Sequence, residues 1–233
     1  MKYVLLVVGD EKPWQNATQA EREAVYAEWG AYSAMLDERG AARGGNELAL
    51  SHTATTIRNG IVTDGPYAET AEQITGYMLV DAKDDAEALE FAKAQPGDVE
   101  IRPVMEYPSE PPAEVPPGLK YTLLLYGDQS VWENATPEQI EATAQAHWKF
   151  TEMLRERGAY ISGEALQDTG TARTVRKKEG GEILVTDGPF AETAEQMGGY
   201  YEIAAKDLDE AIELAKAVPE PIIEVRPVVE YTG

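Results

Sequence analysis

The 233-residue sequence has no cysteine, which removes disulfides, thiolate metal sites and cysteine nucleophiles together. Only two histidines are present, His52 and His147, too few for a multi-histidine metal centre. Long apolar runs are missing as well. The run near the start covers only six residues, Tyr3 to Val8, with acids close behind. It is too short for a signal-peptide core and far too short to span a bilayer, so we expect no export, no membrane span and a cytoplasmic protein. Positive charge is scarce, with 20 basic residues against 42 acidic ones and a formal charge of −22. Such a field repels phosphate backbones and argues against nucleic-acid binding. The sequence has no phosphate loop, dinucleotide fingerprint, GxSxG elbow or HExxH. Neither a metal nor a cofactor is expected.

What is present is a duplication. Lys2-Tyr3-Val4-Leu5-Leu6 recurs as Lys120-Tyr121-Thr122-Leu123-Leu124, and Gly9-Asp10, Trp14 and Asn16-Ala17-Thr18 recur as Gly127-Asp128, Trp132 and Asn134-Ala135-Thr136. TDGPYAETAEQITGY from Thr63 to Tyr77 returns as TDGPFAETAEQMGGY from Thr186 to Tyr200, and EIRPVMEY from Glu100 to Tyr107 returns as EVRPVVEY from Glu224 to Tyr231. Three colinear matches define two domains, residues 1–107 and 120–233. The proline-rich segment 108–119 between them favours an extended spacer.

Each copy carries the same local signals in the same order. An apolar strand leads to a helix opened by a capping box, Thr18 with Glu21 or Thr136 with Gln139, the second reinforced by Pro137. Gly40 and Gly158, each after an arginine, end those helices. β-Branched stretches follow at Thr53 to Arg58 and Thr171 to Lys177; Asn59-Gly60 signals a tight hairpin and Lys178 to Gly181 a longer one. A strand then starts near Gly76 or Gly199, and a second helix begins at Asp84 or Asp207. The final strand carries Pro103 or Pro227, which belongs at an edge, a bulge or a strand end because proline cannot donate to a ladder. The order is β-α-β-β-α-β with an extra hairpin segment, an α+β fold of ferredoxin-like type. Its sheet has one face free of helices, so we expect the two copies to stack sheet to sheet as an internal pseudo-dimer around a shared cavity. Whether the whole chain is a monomer or a higher homo-oligomer is left open.

The DGPY and DGPF segments, with the Lys-Tyr starts and Arg-Pro-Val ends, resemble the YCII-related or DGPF-domain family over both copies almost end to end. The resemblance implies the dimeric α/β-barrel fold. It also implies kinship with proteins found beside extracytoplasmic-function sigma factors, and with enzyme-like members that hold a histidine and an acid in the barrel. This chain matches the histidine–acid pattern only in part.

His147 shares a helical stripe with Ile140, Ala144, Thr151 and Leu154, so it faces sheet or cavity; Trp29 holds the matching place in copy one. It reads either as a general acid or base or as a packed histidine bonded to backbone. Glu164, aligned here with Glu47, is its candidate carboxylate partner, the alternative being an exposed loop acid. Asp64 and Asp187 open Asp-Gly-Pro turns. The residues that follow, Phe190, Glu192, Thr193 and Glu195, read as lining a cavity mouth or as part of the turn. Asp187 joins His147 and Glu164 as a third catalytic candidate. Arg173 and Arg176 are candidates, with Phe190, Glu47 and Asp64, for binding a small-molecule ligand, since arginine can grip a carboxylate or phenolate bidentately. Arg58 and Arg176 end the central strands and would otherwise answer nearby acids. Arg102 and Arg226 alternate with glutamates, which fits ion pairing along the sheet. Trp14 and Trp132 are read as packing over the start of the first helix, and His52, aligned with Gly170, as a loop residue. Two functions follow as expectations. One is a lyase- or isomerase-type enzyme for an aromatic or enolisable small molecule; the other is a non-catalytic ligand-binding or regulatory module that meets a basic protein.

Overall fold

The computed structural model describes residues 1–68, 70–107, 112–191, 193 and 195–231. The first four residues of the linker 108–119 and Glu192 lie outside them; residues 112–118 form neither helix nor strand, and Leu119 already begins a strand. The chain divides into two compact units, each assembled from both repeats.

Unit one combines residues Met1–Glu47, Thr70–Val104 and Leu166–Glu192. Repeat one supplies β1 (Lys2–Asp10), α1 (Glu11–Asn16), α2 (Gln19–Glu38), β2 (Ala42–Glu47), β5 (Glu72–Asp81), α3 (Asp85–Ala94) and β6 (Asp98–Pro103). Its strands run β6-β1-β5-β2, every neighbour antiparallel, the order of a ferredoxin-like split βαβ. Both long helices cover one face, where Tyr32 and Leu36 of α2 and Ala88, Phe91 and Ala92 of α3 meet Tyr3, Leu5, Val80, Val99 and Ile101. The next strand outward comes from repeat two: β9 (Arg173–Lys177) pairs with β6, setting Val175 opposite Val99, and β10 (Ile183–Asp187) completes the sheet.

Unit two combines Leu48–Glu69, Met105–Ala165 and Thr193–Gly233. Repeat two supplies β7 (Leu119–Asp128), α4 (Gln129–Glu133), α5 (Pro137–Glu156), β8 (Tyr160–Ala165), β11 (Glu195–Ala205), α6 (Leu208–Ala215) and β12 (Ile222–Pro227), with strand order β12-β7-β11-β8. Repeat one contributes β3 (Thr55–Arg58) and β4 (Ile61–Asp64), with Ile57 set opposite Ile223 of β12. The two repeats therefore exchange their central hairpins. Val175 and Ile57 are fully buried members of the helix-side cores they enter, so each unit's core includes a side chain from the other repeat.

Local signals account for most of these elements. Both capping boxes form, Thr18 with Glu21 and Thr136 with Gln139, and Asp84 and Asp207 cap α3 and α6. The Asn59-Gly60 hairpin turn has φ of 50° and 80° at its two central residues, the paired left-handed conformations of a type I′ turn. Pro103 and Pro227 stand at the last positions of β6 and β12. Trp14 lies inside the short helix α1 and packs edge-on against Tyr26 of α2, ring centroids 5.4 Å apart. Strands β5 and β11 begin at Glu72 and Glu195, earlier than their apolar patterns alone place them, because the polar Glu-Gln segment pairs with the ends of β1 and β7. Among the described residues no helix is long and apolar enough to cross a membrane.

Register corrects one correspondence. Gly45 pairs with Met78 and Gly163 with Tyr201, so the counterpart of Glu164 is Asn46, and Glu47 matches Ala165. A one-residue slip turns a strand side chain to the opposite face, so Glu47 and Glu164 are not equivalent acids. Glu164 also sits within β8 and not in the loop after it.

Candidate functional site

The two motifs repeated most faithfully meet inside each unit. In unit one, Glu100 and Arg102, two residues apart on β6 and both almost fully buried, pair at 3.1 Å. The other Glu100 oxygen accepts the backbone N–H of Phe190 at 3.0 Å, and Arg102 Nε donates to the Gln167 carbonyl at 3.1 Å. Unit two repeats the arrangement: Glu224 pairs with Arg226 at 2.9 Å, accepts the Tyr67 N–H at 2.8 Å, and Arg226 Nε donates to the Ala49 carbonyl at 3.1 Å. Buried charges of this kind must be paired and hydrogen-bonded, and here they are. Each Glu-Arg pair thus holds two backbone points of the exchanged segment, one before its hairpin and one after the Asp-Gly-Pro turn. This accounts for the Glu-x-Arg-Pro and Asp-Gly-Pro motifs without any ligand.

The same holds for several ligand-binding candidates. Arg176 grips Glu72 through both Nη atoms, at 2.6 and 3.0 Å, reaches Asp98 at 3.3 Å and donates to the Phe190 carbonyl at 3.2 Å. Both Nη groups are engaged, which leaves the fork no grip for a ligand. The Arg176 hydrogen bonds hold the Glu72 carboxyl below its usual range. In unit two Arg58 stands 3.6 Å from Glu195 and lies over the Tyr67 ring, whose hydroxyl donates to Glu195 at 2.8 Å. Burial, reinforced by that bond, pushes the Tyr67 phenol up to about 12. Asp64 is exposed at the end of β4, and Phe190 is half-buried with its backbone pinned from both sides. Arg173 and Asp187 lie opposite each other across β9 and β10 in unit one, 3.9 Å apart, and border a cleft.

The polar centre of unit two is built on His147. It stands on α5 above the sheet, and Tyr201 of β11 and Glu220, in the turn before β12, close on it from opposite sides. Nδ1 is 3.1 Å from the Tyr201 hydroxyl and Nε2 is 3.0 Å from Glu220 Oε1. A carboxylate only accepts, so Nε2 carries the proton; in the neutral ring Nδ1 then accepts the phenol O–H. Thr151, one turn further on, donates to the His147 carbonyl. The Tyr201 ring packs edge-on against Phe150, with centroids 4.9 Å apart, and burial pushes its phenol up to about 12. Gly163 makes room for that ring, since a Cβ there would stand 2.7 Å from Tyr201 Cδ1. The histidine and the glutamate are each partly open to solvent, with side-chain exposures of 24% and 14%.

Of the residues singled out from sequence, His147 is at the centre of this site and Glu164 is not its partner. Glu220 takes that place. It lies between Pro219 and Pro221, where a sequence reading finds only a turn. One signal could have found it: counting on from the equivalent caps Asp84 and Asp207 puts Gly97 opposite Glu220, an acid in one copy only.

The YCII-related domain model matches residues 1–108 and again 119–232, and the chain belongs to that family. An uncharacterised protein of Rhizobium meliloti (strain 1021), R00369, is 34% identical over 116 residues, which cover 48% of this chain and 93% of that protein. Solved structures similar over 98% of the chain include a heme-binding protein from Thermus thermophilus, at 11% identity and a TM-score of 0.43 over 91% of its length. Another is a chlorite dismutase from Candidatus Nitrospira defluvii, at 9% identity and a TM-score of 0.46, again over 91%.

Proposed function

We propose that the chain is an acid–base enzyme of lyase or isomerase type acting on a small enolisable or aromatic molecule, with its centre at His147, Tyr201 and Glu220. One observation carries the reading. Repeat one builds the same positions from Trp29, Met78 and Gly97, so the fold does not require a polar cluster there. Glu220 fixes the tautomer by accepting from Nε2, which leaves Nδ1 as the basic atom. The Tyr201 phenol, kept neutral by burial, is a hydrogen-bond donor. A ligand carbonyl that takes over this bond releases Nδ1 to remove the neighbouring proton, while the phenol stabilises the enolate oxygen.

The test is hydrogen–deuterium exchange at carbon, followed by NMR, across a panel of small ketones, 2-oxoacids and phenols. Exchange should be catalysed by the intact protein and fall about 100-fold or more in His147→Gln and Tyr201→Phe. Exchange that persists in both variants overturns the assignment. A second reading, a non-catalytic regulatory module, is favoured by the charge of −22 and by the engagement of both His147 ring nitrogens. Salt-sensitive capture of a basic protein, with no exchange on any panel member, would support that reading instead.

A further inference from the structure

We infer that unit one carries a binding site for a small amphoteric molecule of the α-amino-acid type, in the cleft between β9, the end of β6 and the start of α3. The cleft holds about 320 Å³ and is lined by Asp85, Pro103, Gln167, Ala172, Arg173 and Asp187 among others. That volume is at the lower end of small-molecule sites.

The repeats supply their own control. By strand register and cap position, Tyr3, Asp85, Gln167, Arg173 and Asp187 correspond to Tyr121, Leu208, Ala49, Thr55 and Asp64 in unit two. The same fold accepts leucine, alanine and threonine where unit one has an acid, an amide and a guanidinium. The polar set is therefore an addition that the fold does not need. It is also organised. Tyr3, buried in the core, donates its hydroxyl to Asp85 Oδ1 at 2.6 Å and holds that carboxylate at the rim. Arg102 fixes the Gln167 backbone through its carbonyl.

Like Arg58, Arg173 is only loosely paired. Arg102, Arg176 and Arg226 are bound tightly to acids or carbonyls, whereas the one ion pair of Arg173 among the described residues runs from Nε to an exposed Asp187 at 3.9 Å. Among the described residues its terminal Nη groups are in no ion pair, in a chain with 42 acidic residues. A guanidinium fork of this kind binds a carboxylate bidentately. Asp85 and Asp187 then stand ready for an ammonium group, and Met1, exposed and part of the lining, offers an apolar surface for an aliphatic side chain.

The experiment is an NMR titration of the full chain with three probes: L-leucine, 4-methylpentanoate, which lacks the ammonium, and 3-methylbutylamine, which lacks the carboxylate. L-Leucine should give saturable shifts confined to the cleft residues, and each half-probe should bind about tenfold more weakly or less. Arg173→Thr and Asp85→Leu, the residues unit two already carries, should each weaken L-leucine at least about tenfold with the fold intact. His147→Gln should leave the binding unchanged. Absence of saturable shifts, equal binding of a half-probe, or indifference to both substitutions would each overturn the site.

Discussion

Where repeat two puts His147, Tyr201 and Glu220, repeat one has Trp29, Met78 and Gly97 at the equivalent positions. Trp29 packs edge-on against Tyr32 with centroids 5.9 Å apart and joins the apolar core, while His147 is held by two hydrogen bonds. The backbone accommodates both solutions, so the polar one is not a condition of folding. The buried Glu-Arg clamps give the opposite result. They recur in both units with the same partners to within a few tenths of an ångström, and they belong to the fold.

The clamps offer the largest test of that contrast. Arg226→Met leaves Glu224 buried without its cation and should cost about 3–5 kcal/mol by calorimetry or urea unfolding. Arg102→Met should cost a similar amount in unit one, and adding Glu224→Leu to Arg226→Met should restore part of the loss. A mild Arg102→Met beside a severe Arg226→Met would show that the two clamps are not equivalent.

A smaller effect is expected at the glycines under the cross-strand neighbours. An added Cβ at Gly45 would meet the Tyr77 carbonyl oxygen at 2.4 Å, at a backbone φ of 148°, whereas at Gly163 its closest contact, at 2.7 Å, is the Tyr201 ring and the nearest backbone atom, the Tyr200 carbonyl oxygen, stands at 3.1 Å. Backbone cannot yield as a ring can. Gly163→Ala should cost about 1–3 kcal/mol and Gly45→Ala more. Putting Tyr201→Met, the repeat-one side chain, behind Gly163→Ala should relieve part of the cost, and the cycle of four proteins measures that coupling.

Alkaline pH tests the tyrosines. The folded state holds Tyr201 and Tyr67 at about 12, and each has an ordinary value of 10.0. A raised value favours the neutral phenol in the folded protein, so their contribution is complete below pH 10 and is lost as pH climbs through about 12. Tyr201→Phe should flatten the fall in stability over that window, while Met78→Phe in repeat one should leave its slope unchanged.

These contrasts also show how far the sequence can be read. Caps at Thr18, Thr136, Asp84 and Asp207 and the Asn59-Gly60 turn are local chemistry and are legible. The placement of His147 toward the sheet follows from its helical spacing. The hairpin exchange is not legible, because Thr55 to Arg58 and Arg173 to Lys177 have the same β-branched pattern and either could complete either sheet. The clamps are half legible: the Glu-x-Arg alternation suggests ion pairing, but nothing local says that a backbone amide after a distant Asp-Gly-Pro turn completes it. Glu164, an acid beside a strand, looks closer to the helix than Glu220 between its two prolines. Only register and the third dimension decide that.

The smallest expected effect separates the two arginines near the ends of the exchanged strands. Arg176 holds Glu72 bidentately and also reaches Asp98, whereas Arg58 approaches Glu195 only to 3.6 Å and otherwise lies over Tyr67. All these ion-paired groups are partly exposed, so solvent screens them, and Arg176→Met should cost about 1 kcal/mol or less at neutral pH. Arg58→Met should cost less still. The difference should change with acid in a defined direction. Arg176 lowers the Glu72 carboxyl from its ordinary 4.5, so the pair's stabilisation is present above that value and disappears as pH falls through the lowered one. Wild type and Arg176→Met should therefore converge as pH falls below 4.5. Parallel curves for Arg176→Met would mean that the bidentate grip adds nothing to stability, and that the arginines differ in geometry alone.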